Sequence, residues 1–331
     1  MQIHPIDTGY FKLDGGAMFG VVPKVLWERT NPSDANNLID MALRCMLIED
    51  GERLTLLDCG TGNKQSDKFF SYYLMGKGEM NLPEATIFNT GTCKWMAYDH
   101  WPPSNTETRQ LYFHPKNRLS FEKPVNKEAY NEYISDPMKP VPYQEDVHLR
   151  RTTQYMTGDQ RFASRRPDVL VYSTDVLTED ITFTGPLSAH LYVSTTGTDA
   201  DFVVKLIDVF PDLMPDYPEN RKHVPMGGYQ KLVRGEVMRG RYRNSFEYPE
   251  PFEPGETTLV KFELQDVAHT FKKGHKIMIQ VQSSWFPLVD RNPQKFVDIY
   301  HCDEDDFQTA THRVFHNAIF PSHVEVKVLK N

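Results

Sequence analysis

The chain has 331 residues, 39% of them apolar and 25% charged, a balance that fits a soluble globular protein and excludes a disordered or membrane-embedded one. Its net charge of −8 and pI near 5.8 oppose a phosphate-backbone partner, so no nucleic acid is expected. The 23 prolines and 12% aromatic residues lean toward a loop-rich, mainly β architecture, and the length allows two ordinary domains of about 100–200 residues each or one large β domain plus an appendage.

The opening "MQIHPIDTGYFKL" lacks the basic start and apolar core of a signal peptide, and no apolar run approaches the roughly 20 residues that span a bilayer. A cytoplasmic chain with no membrane partner is expected. Residues 1–64 read as a strand-rich opening, with "YFKLDGG" and "GVVPKVLW" as short β-like runs punctuated by Gly and Pro. "NLIDMALRCMLIED" suits a short helix or a buried strand equally. "GERLTLLDCGTG" is a strand ending in a Gly-rich loop, where Asp58 anchors an Asx turn or supports a metal site. "SDKFFSYYLMGKG" suits a short amphipathic helix that ends at Gly76 or Gly78.

"EATIFNTGTCKWMAYDHWPP" reads as a strand, a turn at Gly91, a second aromatic strand and a stop at Pro102-Pro103. Residues 124–148, rich in Pro, Tyr and acid, read as a long loop or insertion. From Arg166 the pattern is strongly β: "PDVLVYST", "ITFTGPLSAHLYVSTT", "DFVVKLIDVF", "TTLVKFELQ", "HKIMIQVQSS" and "HVEVKVLK" alternate or carry β-branched residues. Strands in this number without an intervening helical period argue for a β-sandwich. The basic spots "HLRRTTQ" and "RGRYR" are short, and read as solvated faces or internal ion pairs. Cys45, Cys59, Cys93 and Cys302 are too few and scattered for a disulfide framework or a zinc-ligand pattern, leaving free thiols.

Six stretches occur in a telling order: "GTCKWMAYDHWPP", "LYFHPKNRLSF", "DQRFASRRPDVLVYSTDVLTEDITFTGP", "GTDADFVVKLIDVFPD", "LVRGEVMRGRYR" and "SSWFPLVDRNPQ". Together they resemble the C-terminal part of the cocaine-esterase and X-Pro dipeptidyl-peptidase family of serine hydrolases, the CocE/NonD group. The resemblance runs from about Phe69 to Asn331. It implies that residues 105–331 form a jelly-roll sandwich of the galactose-binding-like kind, a lid and wall for an acyl pocket. Residues 67–104 are then a short α/β remnant, the last helix and strand of a hydrolase domain. Cys93 departs from the family, which more often has Asn there; this touches a turn rather than chemistry.

The N-terminal segment 1–66 resembles the start of a metallo-β-lactamase-fold hydrolase, through "DTGYFKLDGGAMFGVVPKVLW", "NNLIDMALRCMLIEDG" and "LTLLDCGTGNK". The strands of this segment lack their parent sheet, so self-association through unpaired edges is expected.

Neither resemblance brings its chemistry along. A serine acyl hydrolase needs its nucleophile in a G-x-S-x-G turn, and none occurs here; in the resembled family the triad precedes the matched segment. The zinc hydrolase needs H-x-H-x-D-H, and that motif is also absent from the sequence. No metal and no cofactor are therefore expected.

Other candidates carry bland alternatives beside them. His312 and His316 in "HRVFH" have zinc-pair spacing on a helix, but the flanking residues are strand-like. "HCDEDD" reads as a solvated acidic turn. Asp199, Asp201 and Asp208 suit turn and strand-end roles better than paired glycosidase carboxylates. "SSWFPLVDRNPQ" has the most weight, because Trp285, Phe286, Asp290 and Arg291 combine apolar surface with fixed polar groups. They line an acyl pocket or form a core-packed corner with an Asp–Arg bridge. The functional expectation is a non-catalytic fragment or fusion within the acyl-hydrolase family, facing an acyl or peptide substrate. The alternative is a ligand- or carbohydrate-binding sandwich.

Overall fold

A computed structural model of the chain describes residues 2–19, 22–50, 53–57, 72, 76–79, 83–148, 152–218, 220 and 224–330. Two compact units emerge, Met1–Leu82 and Pro83–Asn331.

In the first unit, β1 (Gln2–Asp14) pairs antiparallel with β2 (Leu38–Asp50), which pairs with β3 (Arg53–Leu57). The stretch that suited helix or strand equally is thus a strand. Within the run "GVVPKVLW", Lys24–Trp27 is not β but forms a helical turn after Pro23. Proline, with φ fixed near the helical value and no N–H to lose, favours a helix start there. Trp27 is buried and stacks on Phe19 at 5.1 Å. The loop at Asp58 and most of the segment "SDKFFSYYLMGKG" lie outside the described residues. The Gly76 N–H bonds to the Tyr72 carbonyl at 3.0 Å, and Gly76 sits at φ +63, the conformation of a glycine that closes a helix.

In the second unit, β4 (Ala85–Asn89) and β5 (Lys94–Tyr98) form a hairpin. The remaining strands are β6 (Thr106–His114), β7 (Arg118–Ser120), β8 (Tyr130–Ser135), β9 (Leu170–Ser173), β10 (Ile181–Thr195), β11 (Asp201–Val209), β12 (Gln230–Arg239), β13 (Thr258–Phe271), β14 (Lys276–Gln282), β15 (Ala310–Phe315) and β16 (His323–Leu329). Among the described residues they make one path of hydrogen-bonded neighbours, β12-β11-β14-β9-β7-β6-β16-β10-β15-β8, with β13 on β10. The strands enclose a main apolar core, including Phe113, Tyr172, Phe183, Leu191, Phe202 and Ile279. Residues 124–148 are not an insertion: β8 lies within them and pairs with β15 from Ala310↔Ser135 to Phe315↔Tyr130.

Local sequence explains the bends. β10 runs for 15 residues, and its register shifts between Pro186 and Ser188. Gly185 there has φ +93, and a Cβ would lie 2.7 Å from Pro102; a glycine-proline pair at a bulge is the expected device.

β11 is unusual in composition. Residues Asp201–Asp208 are all buried, yet they include Asp201, Lys205 and Asp208. Alternation sends Phe202, Val204 and Leu206 into the main core and Val203 and Lys205 to the opposite face. Lys205 has no exposed surface, and its ammonium donates to Gln160 Oε1 at 3.1 Å. Its charge also sits 5.5 Å from the Trp285 ring centre and 5.8 Å from that of Phe162. Burial pushes its pKa down to about 7, because the ammonium has lost water and gained one amide oxygen.

Two outcomes follow from these positions. Cys93 adopts φ +55, a left-handed conformation that Asn tolerates better than Cys. Cys93→Asn is expected to raise the unfolding free energy by about 0.5 kcal/mol, read from urea denaturation of the single variant. For Lys205 the unfolded chain keeps its proton up to the ordinary lysine range while the folded chain releases it near 7. Stability therefore rises from about pH 7 to pH 10, at up to about 1.4 kcal/mol per pH unit. Lys205→Met is expected to flatten that rise and to add about 1–3 kcal/mol near neutral pH, measured by denaturation at several pH values.

Candidate functional site

The outer face of β12-β11-β14 is roofed by the segment "DQRF". Asp159 forms a bridge with Lys231 of β12, and the Gln160 N–H donates to the Gln230 carbonyl at 3.0 Å. A helical turn, Arg161–Ser164, follows. Asp159 locks the start of that turn by accepting from Arg161 N at 3.0 Å and Gln230 N at 3.2 Å, while its second oxygen holds the Arg161 guanidinium at 2.5 Å. Arg161 also donates to the Gly227 carbonyl at 3.1 Å. Beyond this clamp opens a cleft of about 790 Å³, whose walls include Gln144, Tyr155, Gln160, Arg161, Phe162 and Tyr229. Aromatic faces interleaved with amides, carboxylates and a guanidinium suit a polar or amphipathic small molecule.

Trp285 lies beneath this cleft. It is 6% exposed, clusters with Tyr143 and Val203, and meets Tyr155 edge-on at 5.8 Å. Gly235 makes the slot: a Cβ there would stand 3.0 Å from the indole. The neighbouring polar groups are tightly accounted for only in part. Gln280, opposite Lys205 in register, donates to the Gln160 carbonyl at 3.4 Å, whereas Gln280 Oε1, Gln282 Oε1 and Trp285 Nε1 are buried with no protein partner.

Phe286 is 36% exposed. Its N–H donates to the Val141 carbonyl at 3.0 Å and its carbonyl accepts from Tyr143 N at 2.9 Å, which stitches the loop to residues 141–143. Asp290 and Arg291 do not bridge each other, contrary to the expected corner. Asp290 accepts from Arg239 at 2.6 Å, while Arg291 binds Glu304 at 3.0 Å and stacks on Phe307 at 4.4 Å. Each of the two thus takes a separate partner. Of the four candidates, one is a buried ring, one a half-exposed ring and two are ion-pair members.

Asp199, Asp201 and Asp208 are interior residues and none lines the cleft. Arg241 forks onto Asp199 at 2.8 and 2.6 Å, and Asn292 spans Asp199 at 3.1 Å and Asp201 at 2.8 Å. Burial pushes Asp201 up to about 7; Arg239 opposes the shift and the Asp199 charge adds to it. The arginines of "RGRYR" are thus spent internally, with Arg243 over the Phe252 ring at 4.4 Å. His312 and His316 bind separate amides, Gln294 and Asn131, each at 2.8 Å. In the acidic turn, Glu304 holds Arg291 and Asp306 holds Lys295 at 2.7 Å. The described residues contain no group of three or more side chains placed to hold a metal.

The sequence singled out Trp285 and Phe286, which are not among the cleft's lining residues, and did not reach the cleft wall itself. The available signal was "DQRF", a charged pair set two apart in a stretch without strand alternation, the pattern of a self-clamped turn. The comparisons agree with this architecture. A family model described as the X-Pro dipeptidyl-peptidase C-terminal non-catalytic domain matches residues 77–325. The cocaine esterase of Rhodococcus sp. (strain MB1 Bresler) is 31% identical over 272 residues, 79% of this chain and 45% of that protein. A crystal structure of an aminopeptidase from the marine sediment archaeon Thaumarchaeota archaeon aligns with a TM-score of 0.74 and 39% identity, covering 81% of this chain and 44% of its own. An alpha-amino acid ester hydrolase aligns with a TM-score of 0.72 and 40% identity, over 78% and 43%. The chain thus spans less than half the length of these relatives. With three quarters of its residues matched, it belongs to the family of the X-Pro dipeptidyl-peptidase C-terminal non-catalytic domain, the sandwich of the CocE/NonD hydrolases.

Proposed function

We propose that this chain supplies the substrate-side sandwich of an acyl- or peptide-cleaving hydrolase and does not itself turn over substrate. The observation that carries this reading is the match of residues 77–325 to a domain described as non-catalytic in a sequence without G-x-S-x-G. The relatives' names, an esterase, an aminopeptidase and an amino-acid ester hydrolase, give the substrate class to test. In this reading residues 105–331 are a jelly roll of the galactose-binding-like kind and 67–104 a hydrolase remnant. Phe286 and the cleft rings contribute an acyl-pocket wall, which Trp285 braces from below and the Asp290 and Arg291 ion pairs hold in place. Residues 1–66 are a metallo-β-lactamase-like fragment whose edge strands β1 and β3 offer self-association.

A second reading, a carbohydrate- or ligand-binding module, draws on one observation. The 790 Å³ cleft combines the rings of Tyr155, Phe162 and Tyr229 with Gln144, Asp159 and Arg161, a mixture suited to hydroxyl-rich ligands. Binding on a glycan array that is weakened by Phe162→Ala would favour it over the acyl-wall reading.

The purified chain is expected to show no sustained hydrolysis of p-nitrophenyl acetate or of a Pro-nitroanilide above buffer; steady-state turnover that co-purifies with the chain would overturn the non-catalytic reading. Deleting residues 1–66 is expected to leave the sandwich's thermal transition in place. Loss of cooperative melting in the shortened chain would show that the N-terminal segment is integral to the fold.

A further inference from the structure

One group of side chains outside the cleft has the connectivity of an activated hydroxyl. The β4–β5 turn is pressed onto β13. Asn89 Oδ1 accepts from Gly91 N at 3.0 Å and Thr92 N at 2.9 Å, its amide donates to Thr270 at 2.9 Å, and Thr90 N donates to the Ala268 carbonyl at 3.0 Å. Gly91 permits this approach, since a Cβ would lie 2.0 Å from the Thr270 carbonyl oxygen. The turn therefore delivers the Thr90 hydroxyl to a fixed place, 2.8 Å from His269 Nδ1.

Behind it, His269 Nε2 is 3.2 Å from Asp208 Oδ2, and His275 Nδ1 is 2.8 Å from Asp208 Oδ1. His269 and Asp208 are at most 2% exposed. An ionised carboxylate only accepts, so the two ring nitrogens facing Asp208 carry the protons. His269 Nδ1 is then left with its lone pair toward Thr90, and the hydroxyl donates to it. This is the order hydroxyl, imidazole, carboxylate that general-base activation of a nucleophile requires. Burial opposes the charge on Asp208, but the bonds from His269 and His275 prevail and hold it below the usual carboxylate range. Burial also lowers the pKa of His269 against the pull of Asp208, which keeps the imidazole neutral and able to take a proton.

Thr90 is itself exposed and lines a cavity of about 290 Å³. The cavity walls include Ile87, Phe88, Val233 and Val267, with Arg234 beside them. Arg234 donates through a terminal nitrogen to the Asp266 backbone carbonyl, and Asp266 and Trp101 also line the cavity, so one side is polar and the other apolar. The apolar side of the cavity, with Ile87, Phe88, Val233 and Val267, accommodates a short or aryl acyl group.

We propose that Thr90, His269 and Asp208 form a nucleophile–base–carboxylate set that takes an acyl group from an activated ester onto the Thr90 hydroxyl. The Thr90 Oγ1–carbonyl carbon bond forms as the hydroxyl proton passes to His269 Nδ1. The bond from that carbon to the leaving oxygen breaks, and the leaving oxygen takes the proton from Nδ1. Asp208 stabilises the transient imidazolium and gains no proton. The products are an ester of Thr90 and a free alcohol, with no oxidant or further reactant. Gly91 N and Thr92 N are already engaged by Asn89, so the turn offers no free pair of backbone donors for repeated turnover. The event is stoichiometric acylation, which goes beyond the non-catalytic reading without contradicting it.

The test exposes the full chain to p-nitrophenyl acetate and follows nitrophenolate release together with peptide mass mapping. One equivalent is expected to be released in a burst, with acetyl on the peptide that contains Thr90. Thr90→Val is expected to lose that label while still melting cooperatively, and Thr90→Ser to keep both label and melting transition. The urea-unfolded chain is expected to lose it too, because acylation needs His269 in place. An unlabelled Thr90 peptide, or equal Thr90 labelling in the folded and unfolded chain, overturns the proposal. Sustained turnover that Thr90→Val abolishes would instead overturn the non-catalytic reading and leave the Thr90 site standing.

Discussion

The structure hangs on the burial of β11 along eight consecutive residues, Asp201 to Asp208. A strand closed off from water on both faces cannot leave a charged side chain to the solvent, so each must find its partner inside. Those partners come from far along the chain. Lys205 takes Gln160, Asp201 takes Arg239 and Asn292, and Asp208 takes His269 and His275. Just before the strand, the buried Asp199 takes Arg241. A slip of one residue would drive Lys205 into the space of Val204 and Leu206 and turn those side chains onto the polar cleft. Loss of one partner from a buried pair such as Asp199–Arg241 costs about 3–5 kcal/mol. The polar contacts therefore fix which loops cross which strand, while the apolar core supplies the general drive to collapse.

That constraint also explains how much of the fold could be read in advance. β13 and β16 were legible because one face is buried and the other wet: Val260, Phe262 and Leu264 alternate with exposed Leu259, Lys261 and Glu263, and Val324 and Val326 alternate with His323, Glu325 and Lys327. β8 was not, because its inward residues are polar. Tyr133 reaches Ser283 at 2.6 Å and Asn131 reaches Tyr172 at 3.1 Å, so the apolar alternation that signals a strand is missing. β12 is half-buried along almost its whole length and carries Lys231, Arg234, Glu236 and Arg239, which hides its period. Lys24–Trp27 misled for a different reason, since its apolar residues fit both a strand and one helical turn, and the deciding feature was Pro23.

The walls of the cleft were not legible in the sequence. Trp285 and Phe286 stand out as adjacent rings, but the slot for Trp285 is created by Gly235, fifty residues away. No local pattern shows that pairing. The cleft draws its walls from within residues 144–148, 154–165 and 224–229, segments without periodicity that meet through Asp159 and Arg161. Asp290 and Arg291 looked like partners because they are neighbours in sequence. The real ion pairs join Asp290 to Arg239 and Arg291 to Glu304, partners 51 and 13 residues away.

Lys205 and Asp208 stand three residues apart on one strand, a rise of about 10 Å, and alternation points them to opposite faces. The cleft therefore rests on the odd face of β11 and the Thr90 turn on the even face. Side chains that far apart with no shared partner contribute additively to stability, so the strand is a common support without being a wire between the two places. The same separation lets the two chemistries differ. Under the cleft, burial turns an ammonium toward its neutral form next to rings and amides. At the turn, Asp208 keeps its charge because two imidazole N–H groups replace the water it lost. One strand thus carries a weakened cation and a fortified anion, and the difference lies in the number of hydrogen bonds each makes: Lys205 donates one, Asp208 accepts two.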